Sequence, residues 1–323
     1  MKLTVLISSC GRRVQLMEAF RADARDLGID LRIVGTDSQP LHSAAALRAD
    51  AAFFVPRIQS DEFIPELLGI CDREGVSMII PTIDPGIDVY AKRGGALRER
   101  GIEVVVSNEA VVKITSDKLE TRRWLDSIGI KTPWTMAMEN VRRNFGSCQF
   151  PLVAKPIKGS GSVGIRLLAN ATELYDPVFD NGYIVQQFIS GREYTVNMYF
   201  DLKEGQMHCA IPHRRIEVRS GEVAKGITVR HPLLEALAWK LGKALPGPRG
   251  SICFQAIEIP DGEIYVIEIN ARFGGGFPLA YRAGAKFTRW LMEEKLGLPS
   301  SASNQWKDNV LMIRYDEAVF VGD

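Results

Sequence analysis

The segment "EIYVIEINARFGGG", residues 263 to 276, carries more chemistry than a strand that only closes a core. A carboxylate (Glu268), an amide (Asn270) and a guanidinium (Arg272) stand two residues apart and run into three glycines. Side chains two apart on a strand point to one face. Upstream, "SICFQAIEI" connects to this strand through Asp261-Gly262, a strong signal for a tight hairpin. A two-residue turn there sets Ile259 opposite Ile264, Gln255 opposite Glu268 and Cys253 opposite Asn270. Opposed residues lie about 5 Å apart at Cβ. Gln255, Glu268 and Asn270 then bring three oxygen donors to one small volume with a single full charge. Such a set suits Mg²⁺, with Mn²⁺ as the alternative ion, because the metal keeps waters and shares its shell with phosphates. Arg272, further along the same face, stands where a transferring phosphoryl group needs its charge stabilised. The same spacing also fits a solvated sheet face, and the hairpin alone leaves both readings open.

Other segments add groups that bind anions. "KGSGSVG" places Gly159, Ser160, Gly161, Ser162 and Gly164 between two strands, where backbone N–H groups and hydroxyls form an anion nest or merely a hairpin tip. It is not a Walker A loop, since no Gly-Lys-Ser/Thr opens a helix. Lys155 sits in the apolar "LVAKP", either at a sheet edge or held toward an anion. Lys118 and Glu193, taken singly, read as a helix-surface residue and a solvated strand end. The loop "SSCGRRV" (8–14) follows the first strand, where open α/β sheets place ligands. It lacks the G-x-G-x-x-G spacing of a dinucleotide site. Gly11, Arg12 and Arg13 there either hold a substrate carboxylate or phosphate, or are solvated. Thr82 and Asp84 end the fourth strand beside them. The stretch 210–232 adds His213, Arg214, Arg215, Arg230 and His231, an anion-binding cluster or a solvated face.

These groups need a scaffold. Apolar segments 3–8, 31–37, 51–56, 76–82 and 102–107 alternate with helical patterns at 13–27, around 61–74 and at 86–100. Near-continuous apolar strands between helices imply a buried parallel sheet, a Rossmann-like unit over 1–110. Segment 116–129 is a capped helix and 140–150 a loop. Strands at 151–156, 165–169 and 183–188 follow, with a helix near 171–179. The remainder is strand-rich with one helix at 233–245.

The 323 residues are 46% apolar and 24% charged, with a net charge of +1. That balance gives no support to a nucleic-acid partner. No segment approaches the roughly 20 apolar residues that span a bilayer, so no membrane partner is expected. Five cysteines without a CxxC pair fit reduced thiols in the cytoplasm, and the four histidines lack zinc-ligand spacing.

In order, "SDK" with Lys118, "VAKP" with Lys155, "GSGSVG", "VQQFISGREYTV" and "FQAIEI…VIEINAR" resemble the ATP-grasp superfamily over roughly 115–275, above all its carbamoyl-phosphate-synthetase-like branch and the D-alanine–D-alanine ligases. The resemblance implies an α/β fold: a Rossmann-like pre-ATP-grasp domain (1–110), then a two-lobed α+β ATP-grasp domain. Its small lid subdomain (111–190) carries the glycine loop and its large subdomain (191–323) the metal-binding hairpin. It implies ATP held by Lys118, Lys155 and loop 159–164, adenine beside the hinge Gln186, Gln187, Phe188 and Ile189, and ribose on Glu193. Mg²⁺ falls to Gln255, Glu268 and Asn270. Arg272 and Lys155 act on the phosphoryl group. Gly11, Arg12, Arg13, Asp84, Arg214, Arg230 and Gly275 are the candidates for substrate contact. The family hinge commonly begins with glutamate, so Gln186-Gln187 is a departure; an amide carbonyl can still accept from the adenine amino group. The implied activity is an ADP-forming carboxylate–amine ligase working through an acylphosphate. Its rivals are bicarbonate activation and ATP binding without catalysis. A homo-oligomer or a partner subunit that supplies an acceptor domain is part of the same expectation.

Overall fold

A computed structural model describes residues 1–322 apart from 144, 145, 147, 160, 162 and 181. Strand β1 (Lys2–Ser8) shows why its segment is apolar throughout. Leu3, Val5 and Ile7 pack into one core while Leu6 packs into another, so both faces of the strand are covered. Helix α1 (Val14–Leu27) follows and stops at Gly28, whose positive φ of 63° closes the last turn. Then come β2 (Asp30–Asp37), α2 (Ala44–Arg48), β3 (Ala51–Phe54), α3 (Phe63–Glu74), β4 (Met78–Pro81), α4 (Ile87–Glu99) and β5 (Glu103–Val104). These strands form a parallel sheet in the order β3-β2-β1-β4-β5. The order reverses between β1 and β4, and a crevice opens beyond their carboxyl ends.

Helix α5 (Glu109–Ser116), which the sequence pattern did not separate, is capped by Asn108. Helix α6 (Lys118–Ser127) is capped by Asp117, which accepts from Leu119 and Glu120 N–H. Strand β6 (Thr135–Ala137) leads to α7 (Met138–Arg143), where a loop was expected. Met138 and Val141, one helical turn apart, fill a small core, and that burial stabilises the turn as helix. Strands β7 (Leu152–Pro156), β8 (Arg166–Leu168) and β9 (Tyr183–Gln187) complete an antiparallel sheet in the order β6-β9-β7-β8. The helix expected near 171–179 is instead two 3₁₀ turns, Ala171–Tyr175 and Pro177–Phe179. Pro177 cannot continue a helix, and Asp176 caps the second turn through Val178 N–H.

The largest sheet is antiparallel. Its strands are β10 (Arg192–Phe200), β11 (Met207–Arg219), β12 (Glu222–Thr228), β13 (Gly250–Glu258), β14 (Ile264–Asn270) and β15 (Leu311–Ile313), in the order β14-β13-β10-β11-β12-β15. Helix α8 (Pro232–Ala244) covers one face. Two further helices, α9 (Phe277–Ala283) and α10 (Phe287–Leu296), correct the expectation of a single helix in this region. Phe277, Phe287 and Trp290 bury themselves against α1 and join this sheet to the first domain.

The hairpin β13–β14 keeps the expected register at one end and loses it at the other. Gln255 faces Glu268 and Cys253 faces Asn270, but Glu258 rather than Ile259 faces Ile264. Asp261 Oδ1 accepts from Glu263 N–H, and the turn closes through Ile259 N–H to Glu263 O. An irregularity between Gln255 and Ala256 absorbs the extra residue, Ile267. Such a bulge lets two neighbours face one side. Ile267 and Glu268 accordingly both line the same cavity.

Candidate functional site

A cavity of about 530 Å³ lies where the three sheets meet. One end is walled by Val153 of β7, Ile165, and Ile257 and Ile267 of the hairpin, an apolar slot bordered by Gln187, Phe188 and Ile189. The other end opens onto Ser9 to Arg13 and Thr82, beyond β1 and β4.

Two lysines stand between these ends. Lys155 is drawn inward by β7, and its Nζ donates to Gln186 Oε1 at 2.7 Å. Burial lowers its pKa from 10.5, and the nearby Glu268 carboxylate acts in the opposite direction. Lys118, the first residue of α6, donates from Nζ to Gly159 O at 3.1 Å and so ties that helix to the glycine loop. Gly159, Gly161 and Gly164 have φ of 125°, 68° and 76°, values that side-chain-bearing residues avoid. Ser160 and Ser162, expected phosphate contacts, lie outside the described residues. Glu193 lies at the start of β10 with its carboxylate half-exposed, 3.5 Å from Arg215.

The expected oxygen trio is present, but its members differ in availability. Gln255 Oε1 accepts from Arg215 Nη1 at 2.6 Å. Asn270 Oδ1 accepts from Arg272 Nη2 at 3.1 Å. Glu268 is the member without a protein partner among the described residues. Those residues also contain no cluster of three His, Cys, Asp or Glu side chains for a fully protein-ligated metal. One unpartnered carboxylate beside an amide carbonyl, opening into a cationic cavity, fits an ion that takes its remaining oxygens from water and phosphate. Gln255 and Asn270 each lend their carbonyl to a guanidinium, Arg215 and Arg272 respectively, so Glu268 is the member of the trio that stands free among the described residues.

Arg272 is buried. Its Nε donates to Asp84 Oδ2 at 2.9 Å, Nη2 binds the same oxygen, and Nη1 donates to Phe273 O at 3.0 Å. Burial opposes its charge, but Asp84 outweighs that and holds the pKa above the usual arginine value. The β4 end therefore reaches across to the hairpin, and Asp84, expected as a substrate contact, is engaged with Arg272 instead of lining the cavity. Arg13 pairs with Glu222 Oε1 at 3.3 Å, and Arg314 pairs with Glu222 Oε2 at 3.0 Å. Burial works against the ionised Glu222, yet Arg13 and Arg314 hold it below its usual range. Arg12 faces solvent at the cavity mouth.

The glycine run is packed rather than loose. A Cβ on Gly275 would lie 2.8 Å from Glu222 Cδ, and one on Gly276 would lie 2.5 Å from His213 Nε2. Burial pushes His213 down to about 3, so that imidazole is neutral. The cavity thiols Cys10 and Cys253 are pushed up to about 11 by burial and stay protonated, which leaves no thiolate nucleophile here.

Two other expected substrate contacts are elsewhere. Arg214 points to the opposite face of β11 from Arg215 and is exposed, outside this cavity. Arg230 stacks on Trp306 with its guanidinium 3.4 Å from the ring centroid, and it donates to Trp306 O. Strand alternation through buried His213 would have selected Arg215 instead of Arg214. Glu222 and Arg314 carried no local signal. Gln186, expected beside adenine, spends its carbonyl on Lys155 and donates from Nε2 to Thr135 Oγ1 at 3.0 Å, so any base contact falls to residues 187–189.

Residues 115–276 match the family model described as ATP-grasp domain, and residues 5–105 match the model described as PylC-like, N-terminal domain. A carbamoyl-phosphate synthase of Methanobrevibacter smithii is 26% identical over 245 residues, which is 70% of this chain and 64% of that protein. A D-alanine–D-alanine ligase of Pseudomonas fluorescens is 27% identical over 201 residues, 56% of this chain and 60% of that protein. The chain thus spans under two thirds of either relative. In fold it is similar to the biotin carboxylase domain of Hydrogenobacter thermophilus 2-oxoglutarate carboxylase, solved with MgADP and bicarbonate. That similarity has a TM-score of 0.74 at 17% identity, covering 95% of this chain and 73% of the other.

Proposed function

Because the chain belongs to the ATP-grasp domain family, we propose that it is an ADP-forming ligase that joins a small-molecule carboxylate to an amine. The observation that carries this reading is a single cavity lined by Lys118, Lys155, Glu268, Asn270 and Arg272 together with the arginines that follow the first strand of the first domain. ATP takes the apolar slot by its base, with Glu193 on the ribose and residues 187–189 at the base edge. Lys118 and Lys155 take its phosphates, under the loop 159–164.

A carboxylate oxygen of the acid attacks the γ-phosphorus, the bond to the β-phosphate oxygen breaks, and ADP leaves. Nitrogen of the amine then attacks the acyl carbon, phosphate departs with the bonding pair, and the amine proton passes to solvent or phosphate. Glu268, with the carbonyls of Gln255 and Asn270 beside it, would hold Mg²⁺, which would supply charge neutralisation to the phosphates. Arg272, fixed by Asp84, keeps a permanent cation beside that centre. Lys155 leaves the neutral Gln186 carbonyl for a charged phosphate oxygen, a stronger acceptor. No side chain needs to form a covalent intermediate, in keeping with protonated cavity thiols. A soluble chain that works as a homo-oligomer or with a partner subunit is compatible with this reading; no helix among the described residues is long and apolar enough to cross a membrane.

Measuring ADP release against a panel of acids and amines, with bicarbonate in parallel, tests the proposal. Acid- and amine-dependent ADP release with an amide product is the expected result. Release stimulated by bicarbonate alone would replace it with the bicarbonate-activating reading. ATP binding without turnover would leave a nucleotide-binding protein.

A further inference from the structure

Activation of one carboxylate does not account for the positive charge at the first-domain end of the cavity. Building on the ligase reading, we infer that the acid substrate carries a second anionic group, a carboxylate or a phosphate, held by Arg12 beyond the carboxyl end of β1.

Six cationic side chains line the cavity: Arg12, Arg13, Lys118, Lys155, Arg215 and Arg272. Five of them have a protein acceptor: Glu222 for Arg13, Gly159 O for Lys118, Gln186 for Lys155, Gln255 for Arg215 and Asp84 for Arg272. Arg12 makes neither a hydrogen bond nor an ion pair among the described residues. The carboxylates at its end are already engaged. Asp84 holds Arg272, and the two oxygens of Glu222 hold Arg13 and Arg314. Arg272 also lies in the field of the Glu268 carboxylate. Arg12 acts on Glu222 only through its field, since both oxygens of that carboxylate are taken. Of the four arginines Arg12, Arg13, Arg272 and Arg314, Arg12 is therefore the one without a carboxylate of its own among the described residues, and its guanidinium is open to a separate anion.

The backbone under Arg12 is anchored from three directions. Thr82 Oγ1 donates to the carbonyls of Ser8 and Ser9 at 3.0 and 2.7 Å. Gly11 N–H donates to Asp37 Oδ2 at 3.0 Å, and Ser43 Oγ donates to Gly11 O at 3.1 Å. A fixed base beneath an unpartnered guanidinium lowers the ordering cost of binding. The planar fork matches either a carboxylate or a phosphate.

The test compares matched acids in the ADP-release assay: aspartate with asparagine, glutamate with glutamine, succinate with succinamate, and O-phosphoserine with serine. In the best-used pair, the member with the second anion is expected to have at least about tenfold higher kcat/KM. Arg12→Ala is expected to reduce that preference to within about twofold, mainly through the acid KM, with the ATP KM unmoved. The carboxylate and phosphate pairs separate the two kinds of anion. Equal use of both members by the unmodified enzyme overturns the inference and leaves the ligase reading intact. Absence of turnover with every acid counts against the ligase reading, and Arg12 is then judged by chemical labelling. Butanedione modification of Arg12, read by peptide mass with ADP and Mg²⁺ present, is expected to slow with succinate or inorganic phosphate but not with acetate at equal ionic strength. Equal labelling in all three would sink the inference.

Discussion

At the nucleotide end of the cavity, the two lysines rest on neutral acceptors, Lys155 on the Gln186 amide and Lys118 on a backbone carbonyl, while Arg215 shares the Gln255 amide with a longer ion pair to the half-exposed Glu193. At the first-domain end, all but Arg12 rest on carboxylates: Arg272 on Asp84, and Arg13 and Arg314 on Glu222. A neutral hydrogen bond contributes about 1 kcal/mol and exchanges readily for a charged ligand. A buried ion pair is costly to break from one side. The difference separates cations free to receive a triphosphate from cations that form a rigid frame. The first domain is held to the hairpin by that frame, through a contact 188 residues apart in sequence.

The largest expected effect comes from Glu268, which lies in the proposed nucleotide site and has no hydrogen-bond or ion-pair partner among the described residues. Glu268→Gln should cut ADP release by about 10²–10³-fold. Its melting temperature should stay near that of the parent, and near-normal turnover would remove Glu268 from the site.

The next effect sets the two ends against each other. Asp84→Asn leaves Arg272 buried without its carboxylate and should cost about 3 kcal/mol in urea unfolding. Gln186→Leu at the nucleotide end should cost about 1 kcal/mol. Equal losses would break the distinction between frame and free cations.

Gly275→Ala drives a Cβ toward Glu222 and should disturb its pairs with Arg13 and Arg314. The acid KM should rise about tenfold while the ATP KM holds, as expected for overpacking worth 1–3 kcal/mol. A matching rise in both would show that the ends are not separable.

A smaller effect is visible in pH. Burial lowers the Lys155 pKa, so its proton is lost at lower pH than from an ordinary lysine. ATP binding needs the ammonium and should weaken as pH rises through that value. Lys155→Arg should move this limb upward, and Glu268→Gln, which removes the supporting anion, should move it downward. Between the lowered value and 10.5 the unfolded chain binds more protons, so this lysine makes unfolding free energy rise with pH. An ATP-affinity limb unchanged in both variants would dissociate Lys155 from the phosphates. Smallest of all, Arg214→Ala should change stability by no more than about 0.5 kcal/mol and leave both KM values alone. A change in the acid KM would return Arg214 to the substrate end.

Much of the nucleotide end was legible because it lies on strands. Alternation placed Glu268, Asn270 and Arg272 on one face, and the paired positions Gln255 and Glu268 do face each other. That agreement had a partly different cause. The Asp261-Gly262 turn is wider than two residues, and a bulge at Ile267 restores the register before the functional positions. Helix α1 and its glycine stop were equally plain. The first-domain end was read only in part. Arg13 and Asp84 were found because they follow the parallel strands, but Glu222 and Arg314 sit at a strand start and in a late extended segment with no pattern of their own. The helices α9 and α10 escaped because their aromatic residues are buried by packing against α1.

By itself the sequence determined the order of motifs, the family they resemble, and the faces that strand periodicity assigns to them. Those properties follow from spacing along the chain, which a period of two or 3.6 residues encodes locally. Only the tertiary structure decided which cations are engaged, that Arg215 rather than Arg214 enters the cavity, and that Asp84 and Glu222 hold the arginines across domains. Ion pairs between distant segments depend on how sheets dock, and docking is set by the shared cores that no single segment contains.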